Sequence, residues 1–123
     1  MKNNYLLDTN VVIYFFNGLT DDMALVEILR SSFNISIITK IEFLSWQKLL
    51  NDSALNDKAI EFISNAAVYE LDEVVASRTI KNRQQHRIKT PDAIIGATAQ
   101  VHGFEIVTNN IDDFKMLDLN VIT

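Results

Sequence analysis

The sequence predicts an α/β fold, a three-layer sandwich in which helices cover both faces of a mostly parallel sheet. Three observations carry this reading. Short runs rich in β-branched and aromatic residues alternate along the chain with longer segments of helical periodicity. One of those runs, Phe33 to Ile38, is short and rich in β-branched residues and reads as a strand buried on both faces. Nearly half of the 123 residues are apolar, with only three glycines and one proline, which suits an ordinary globule and excludes disordered and fibrous classes. Residues 1–123 are expected to form one domain with a sizeable core.

The elements follow in order. Tyr5 to Leu7 is a short apolar run that stops at Asp8, so Asp8 is expected at the carboxyl end of the first strand. Thr9 to Asn17 reads as a short helix closed by Asn17-Gly18. Thr20-Asp21-Asp22 caps a second helix, with Ala24, Leu25, Ile28 and Leu29 at helical spacing and an end near Ser31 or Ser32. The second strand, Phe33 to Ile38, ends at Thr39, and Lys40 to Leu50 is helical behind a Thr39–Glu42 capping box. Asp52 to Asn65 is amphipathic, with Leu55, Ala59, Ile60 and Ile63 on one side. Ala66 to Leu71 is a third strand, and Asp72 caps a helix whose apolar side is Val74, Val75 and Ile80. Thr90-Pro91-Asp92 opens a helix that is apolar nearly all round and ends at Gly103. Phe104 to Val107 is a fourth strand, Thr108 to Phe114 a loop or short helix, and Asn120 to Ile122 an edge strand.

Composition narrows the chemistry. Without cysteine there are no disulfides or thiolate metal sites, and two histidines are too few for a histidine-based zinc centre, so any metal must be held by oxygen. A net charge of −5 argues against a general basic coat for nucleic acid while leaving room for a local basic patch. The short apolar run before Asp8 predicts neither a signal peptide nor a membrane span, and the cytoplasm is the expected location.

Acids fall where strands end. Asp8, Glu42 and Asp92 each sit at a strand or helix junction, and the fourth strand leads to Asp112 and Asp113. In a parallel sheet these junctions share one edge, where ligands bind. Each acid has a bland reading, as an N-cap, a capping-box partner or a dipole complement stabilising by about 0.3–1 kcal/mol. Those readings do not explain why all fall on one edge. Clustered carboxylates raise each other's pKa unless a cation holds them ionised, and Mg2+ or Mn2+ is the hard oxygen-loving candidate. Such a site activates water and neutralises a phosphodiester, which is nuclease chemistry.

Leu7-Asp8-Thr9-Asn10, Thr39 with Glu42, Thr90 through Ala99, and Val107-Thr108-Asn109-Asn110 ahead of Asp113-Phe114 together resemble a PIN-domain ribonuclease, most closely the VapC-type toxins of bacterial toxin–antitoxin pairs. The resemblance spans essentially the whole chain. It implies a PIN-like, RNase H/5′-nuclease-like fold with a parallel five-stranded sheet. It also implies Mg2+- or Mn2+-dependent endonuclease action on RNA, often tRNA, with dimerisation and inhibition by a cognate antitoxin. By position it makes Asp8, Glu42 and Asp92 catalytic, metal-holding acids, and Asn10 and Thr108 polar residues that orient them. The fourth acid falls at Asn110 in some members and in the acid–Phe pair in others, which favours Asp113 here, with Asn110 a neutral neighbour and Asp112 solvated. Helix starts at Thr39 and Thr90 would aim N–H groups at phosphate.

Arg78 to Lys89 carries five cations and no acid and leads into the Asp92 corner, so Arg83, Arg87 and Lys89 are candidate RNA-binding residues, with Arg83 and Arg87 on one helix face. The alternative is a solvated helix face. Phe15, Phe16, Phe43 and Trp46 read first as core, although Phe43, Trp46 and Leu50 could form a dimer or antitoxin contact. His102 complements a helix end. Other classes are a phosphoacceptor domain and an inactive binding module on the same scaffold. A haloacid-dehalogenase-like phosphatase wants a second aspartate where Asn10 stands, and a receiver wants an acid pair and a lysine that are absent.

Overall fold

The computed structural model describes residues 4–18, 23–117, 119 and 121–122. Five strands, β1 (Tyr5–Leu7), β2 (Asn34–Ser36), β3 (Ala67–Tyr69), β4 (Glu105–Val107) and β5 (Val121–Ile122), form one sheet in the order β3-β2-β1-β4-β5. Every pairing is parallel, with Leu6 opposite both Asn34 and Ile106. Parallel neighbours need crossovers, supplied here by α1 (Thr9–Asn17), α2 (Met23–Ser31), α3 (Ile37–Leu44), α4 (Ser53–Ile63), α5 (Glu73–Gln85) and α6 (Thr90–His102).

Alternation along the strands divides the core. Leu7, Ile35 and Val107 face one layer with Val11, Val12, Phe43, Ala59 and Ile63. Leu6 and Ile106 face the other with Ile95, Ala99, Phe114 and Leu117. The first layer holds an aromatic cluster, in which Phe16 meets Phe43 edge-on at 5.3 Å between centroids and Phe62 lies 5.5 Å from Phe16. Among the described residues no helix is long and apolar enough to cross a membrane.

Local chemistry sets the boundaries. Asp8 caps α1, and Gly18, left-handed at φ 64°, ends it. Gly103 ends α6 in the same way at φ 72°. Asp52 and Asp72 accept hydrogen bonds from Leu55 N and Val75 N as caps of α4 and α5. The expected cap at Thr20, Asp21 and Asp22 lies outside the described residues.

Several expectations need correction. The second strand stops at Ser36, whose hydroxyl accepts from Ile38 N at 3.1 Å. The β-branched Ile37 and Ile38 therefore open α3, because a satisfied cap outweighs their strand preference. The Thr39–Glu42 capping box does not form, and Glu42 sits in the second turn of α3. The helix expected over Lys40–Leu50 ends at Leu44, followed by a 3₁₀ turn at Gln47–Leu49. Lys89, not Thr90, is the N-cap of α6. On α4, Ile60 is half exposed. On α5, Val74 and Ile80 are exposed, and the inward stripe is Val75, Thr79 and Asn82. Thr79 donates to Val75 O and Asn82 to Gln100 Oε1, so polar side chains occupy an inward face that hydropathy alone assigns elsewhere.

Phe43 is fully buried at the centre of the aromatic cluster and does not belong to a contact surface. Phe43→Ala is expected to destabilise the protein by about 3–5 kcal/mol, through lost transfer energy and a cavity. Urea denaturation of both proteins measures the difference.

Candidate active site

Asp8 is the buried anchor of the site, at 6% exposure. Its backbone N–H extends the sheet by donating to Val107 O at 2.9 Å. Its two carboxylate oxygens have separate partners: Thr9 N donates to Oδ1 at 2.8 Å, and the buried Thr108 hydroxyl donates to Oδ2 at 2.7 Å. Thr108 in turn accepts from Asn110 N at 2.9 Å, which sets the turn after β4. Asp8 is therefore a helix cap and a site residue at once.

The parallel sheet brings the other acids to the same edge. Glu42, exposed on α3, accepts from the Thr9 hydroxyl at 2.6 Å, and the Thr9 and Thr39 hydroxyls lie 3.2 Å apart. Asp92 occupies the first turn of α6. Asp113 lies in a 3₁₀ turn at Ile111–Asp113 and accepts from Asn110 Nδ2 at 2.5 Å. Asp112 points away and pairs with Lys115 at 2.9 Å.

The electrostatics report the convergence. Burial pushes the Asp8 carboxyl above the usual range, against its Thr108 and Thr9 hydrogen bonds, and Glu42 and Asp113 push it further. Asp92 is pushed up to about 6, first by burial and then by Asp113, Asp8 and Glu42, with Lys89 opposing. Glu42 and Asp113 thus act on Asp8, and all three act on Asp92, although the four span most of the sequence.

Their chemistry fits a hard divalent cation, because the donors are all oxygen and their mutual repulsion is what such an ion relieves. Among the described residues no three His, Asp or Glu side chains close around a common point by themselves. Hydroxyl and amide partners hold Glu42 and Asp113 in place, and Mg2+ needs only one or two carboxylates beside water and phosphate oxygens.

The remaining expected residues divide. Asn10 is exposed and, among the described residues, makes no hydrogen bond to any of the four carboxylates; with Ile13, Tyr14 and Asn109 it lines a depression of about 210 Å³. The orienting role expected of Asn10 falls to Thr9, one residue earlier, which sequence reasoning missed. The phosphate-aiming helix start expected at Thr39 is at Ile37 instead. Arg83 and Arg87 do not share a helix face, because α5 ends at Gln85. They still come together, lining a depression of about 440 Å³ with His86, Ile88 and Lys89. Arg78 is committed elsewhere, donating to Gln100 Oε1 at 3.2 Å.

The family model described as PIN domain matches residues 5–119. A toxin–antitoxin complex from Klebsiella pneumoniae is similar at 30% identity and a TM-score of 0.78, over 97% of this chain and 96% of that one. FitAcB from Neisseria gonorrhoeae is similar at 25% identity and a TM-score of 0.74, over 97% and 96%. DNA-bound VapBC from Salmonella typhimurium shares the fold at 23% identity and a TM-score of 0.81, over 98% and 97%. Comparison with curated protein sequences gives no match.

Asp92 carries a pH signature. Its carboxyl is raised from 3.8 to about 6 on folding, so the native state binds more protons than the unfolded state between those values. The stability this contributes is complete below about pH 4 and is lost as pH rises through about 6. In chelator, Asp92→Asn is expected to be more stable than the natural protein above pH ~7, by on the order of 1 kcal/mol after solvent screening, with the gap closing towards pH ~4. Urea midpoints across that range check it, and added Mg2+ is expected to narrow the gap at high pH.

Proposed function

The chain belongs to the PIN domain family, and from that premise we propose that it is a VapC-type toxin of a type II toxin–antitoxin system. In this reading it is a metal-dependent endoribonuclease that hydrolyses phosphodiester bonds of structured RNA such as tRNA. The observation that carries the proposal is the convergence of Asp8, Glu42, Asp92 and Asp113 on one sheet edge, where burial first, and then the other three acids, push the Asp92 carboxyl up to about 6. Residues 1–123 act as one PIN domain, in the cytoplasm and as a homodimer, restrained by a cognate antitoxin. Similarity at 30% identity to a toxin–antitoxin complex supports the antitoxin as partner.

Asp8, Glu42, Asp92 and Asp113 would hold the cation, Mg2+ or Mn2+, which when bound would supply a Lewis acid that neutralises the phosphodiester and lowers the pKa of water. The chain's own residues prepare that site. Thr108 and Thr9 N orient Asp8 and favour its ionised form. Thr9 aims Glu42, and Asn110 aims Asp113. Asp92, its carboxyl raised to about 6 by burial and the neighbouring acids, is a group whose ionised form a bound cation would favour. Arg83, Arg87 and Lys89 form no ion pair among the described residues, and Lys89 acts directly on Asp92, so this strip can hold RNA backbone beside the acids.

A labelled RNA titrated with Mg2+ tests the reading. The natural protein is expected to cleave internally and only with added metal. Asp8→Asn is expected to lose at least about 100-fold in rate, since even outer partners of a metal site reach that cost. Metal-independent cleavage that survives this substitution would refute the assignment, and a phosphoacceptor domain or an inert module would cleave nothing. Arg83→Ala with Arg87→Ala is expected to weaken RNA binding and reduce its salt slope by about 0.7 for each phosphate no longer neutralised. An unchanged slope removes the strip from the RNA path.

A further inference from the structure

Asn10, Ile13 and Tyr14 stand at i, i+3 and i+4 on α1, so they share one face of the helix. Asn109, in the bend that follows β4, completes the wall, and together they line the depression of about 210 Å³. Two features set it apart from an ordinary surface hollow. Tyr14 is 45% exposed, an aromatic face left accessible beside the two amides. The amides are otherwise uncommitted: among the described residues neither Asn10 nor Asn109 makes a side-chain hydrogen bond, whereas neighbouring Asn110 is committed to Asp113. An aromatic face for stacking, with side chains that both donate and accept, is the chemistry that recognises an unpaired nucleobase.

The position relates the depression to the acids. Its walls are the two chain segments that fix Asp8. Asn10 lies two residues after Asp8 in the helix Asp8 caps, and Asn109 directly follows Thr108, which donates to Asp8 Oδ2 at 2.7 Å. Among the described residues that line it there is no cation, so the hollow suits a neutral heterocycle better than a phosphate. The basic depression lies instead at the Lys89 end, towards Asp92.

We propose that Asn10, Ile13, Tyr14 and Asn109 form a nucleobase subsite, which takes one unpaired base of the RNA next to the bond being cut. Tyr14 stacks on the base and the two amides read its edge. This rests on the nuclease reading above and deepens it: the substrate presents an unpaired nucleotide at the cleavage site, and part of the sequence preference resides at Asn10 and Asn109.

The test compares short single-stranded homopolymers of U, A, C and G with an abasic phosphodiester strand of equal length. Binding is measured with Ca2+ in place of Mg2+. The natural protein is expected to prefer strands that carry bases, and at least one base over the others. Tyr14→Ala is expected to lower affinity for those strands about tenfold while leaving the abasic strand unchanged, and Tyr14→Phe to keep the stacking. Asn109→Ala, in an exposed bend, is expected to flatten the preference among the four bases, which keeps the test alive should Tyr14→Ala fold poorly. Equal binding of abasic and base-carrying strands by the natural protein would overturn the proposal. So would a Tyr14→Ala loss shared equally by both kinds of strand, or no loss at all, as expected if the hollow contacts a polypeptide. The nuclease reading fails separately, by absence of Mg2+-dependent cleavage, and Tyr14-dependent base preference can survive that failure.

Discussion

A carboxylate buried at the carboxyl edge of a parallel sheet is the constraint around which this structure is arranged. Asp8 is removed from water, and a buried charge is tolerable only if its lone pairs find donors. The donors come from opposite ends of the chain: the first residue of α1, and Thr108, one hundred positions after Asp8. That pair of bonds ties β1 to the turn after β4 and reinforces the backbone link from Asp8 N to Val107 O. Cooperative pairing of the two central strands and the geometry of the site are therefore one set of contacts, and a fault in either disturbs the other.

Three of the four acids are held by small hydroxyl and amide groups rather than by cations. Thr9 serves Glu42, Thr108 serves Asp8, and Asn110 serves Asp113. Neutral donors fix a carboxylate without cancelling its charge, so Asp113, Asp8 and Glu42 go on repelling Asp92 and add to the burial that raises its carboxyl. Arginines in those places would have made a stable but inert cluster of ion pairs. What stands here is a site carrying uncompensated negative charge, which is the condition under which a divalent cation is bound strongly by few ligands.

The order of elements was legible because periodicity and caps agree with the final topology: alternating runs, Gly18 and Gly103 as helix stops, and Asp52 and Asp72 as starts. The acids were legible because strand ends in a parallel sheet share an edge whatever the details of packing. Finer geometry was not, for identifiable reasons. Ile37 and Ile38 look like strand by propensity, yet the Ser36 hydroxyl captures Ile38 N and starts the helix early. That shift buries Thr39 and moves Glu42 a turn further along α3, into reach of Thr9. Asn10 and Thr9 differ by one position on a helix, about 100° of rotation, which decides whether a side chain faces the acids or the solvent. Sequence spacing alone does not resolve that angle without the position of the neighbouring helix. On α5 the inward stripe includes Thr79 and Asn82, which look like surface until their partners Val75 O and Gln100 are known.

Charge distribution completes the physical picture. A chain of net charge −5 repels a polyanion at long range, yet salt limits that repulsion to about 8–10 Å at the ionic strengths of cells. Within that distance only the local surroundings of the acids matter, and there Lys89, Arg83 and Arg87 lie on the side of Asp92. Lys89 is the hinge of the arrangement: it caps α6, lines the basic depression and partly offsets the negative field at Asp92. On the proposed reading, a phosphate strand approaching from that side would meet these cations beside the carboxylates, whose repulsion a bound cation would relieve. On that reading, binding of cation and of polyanion at this edge would be coupled through electrostatics, each lowering the cost of the other, without any change of fold.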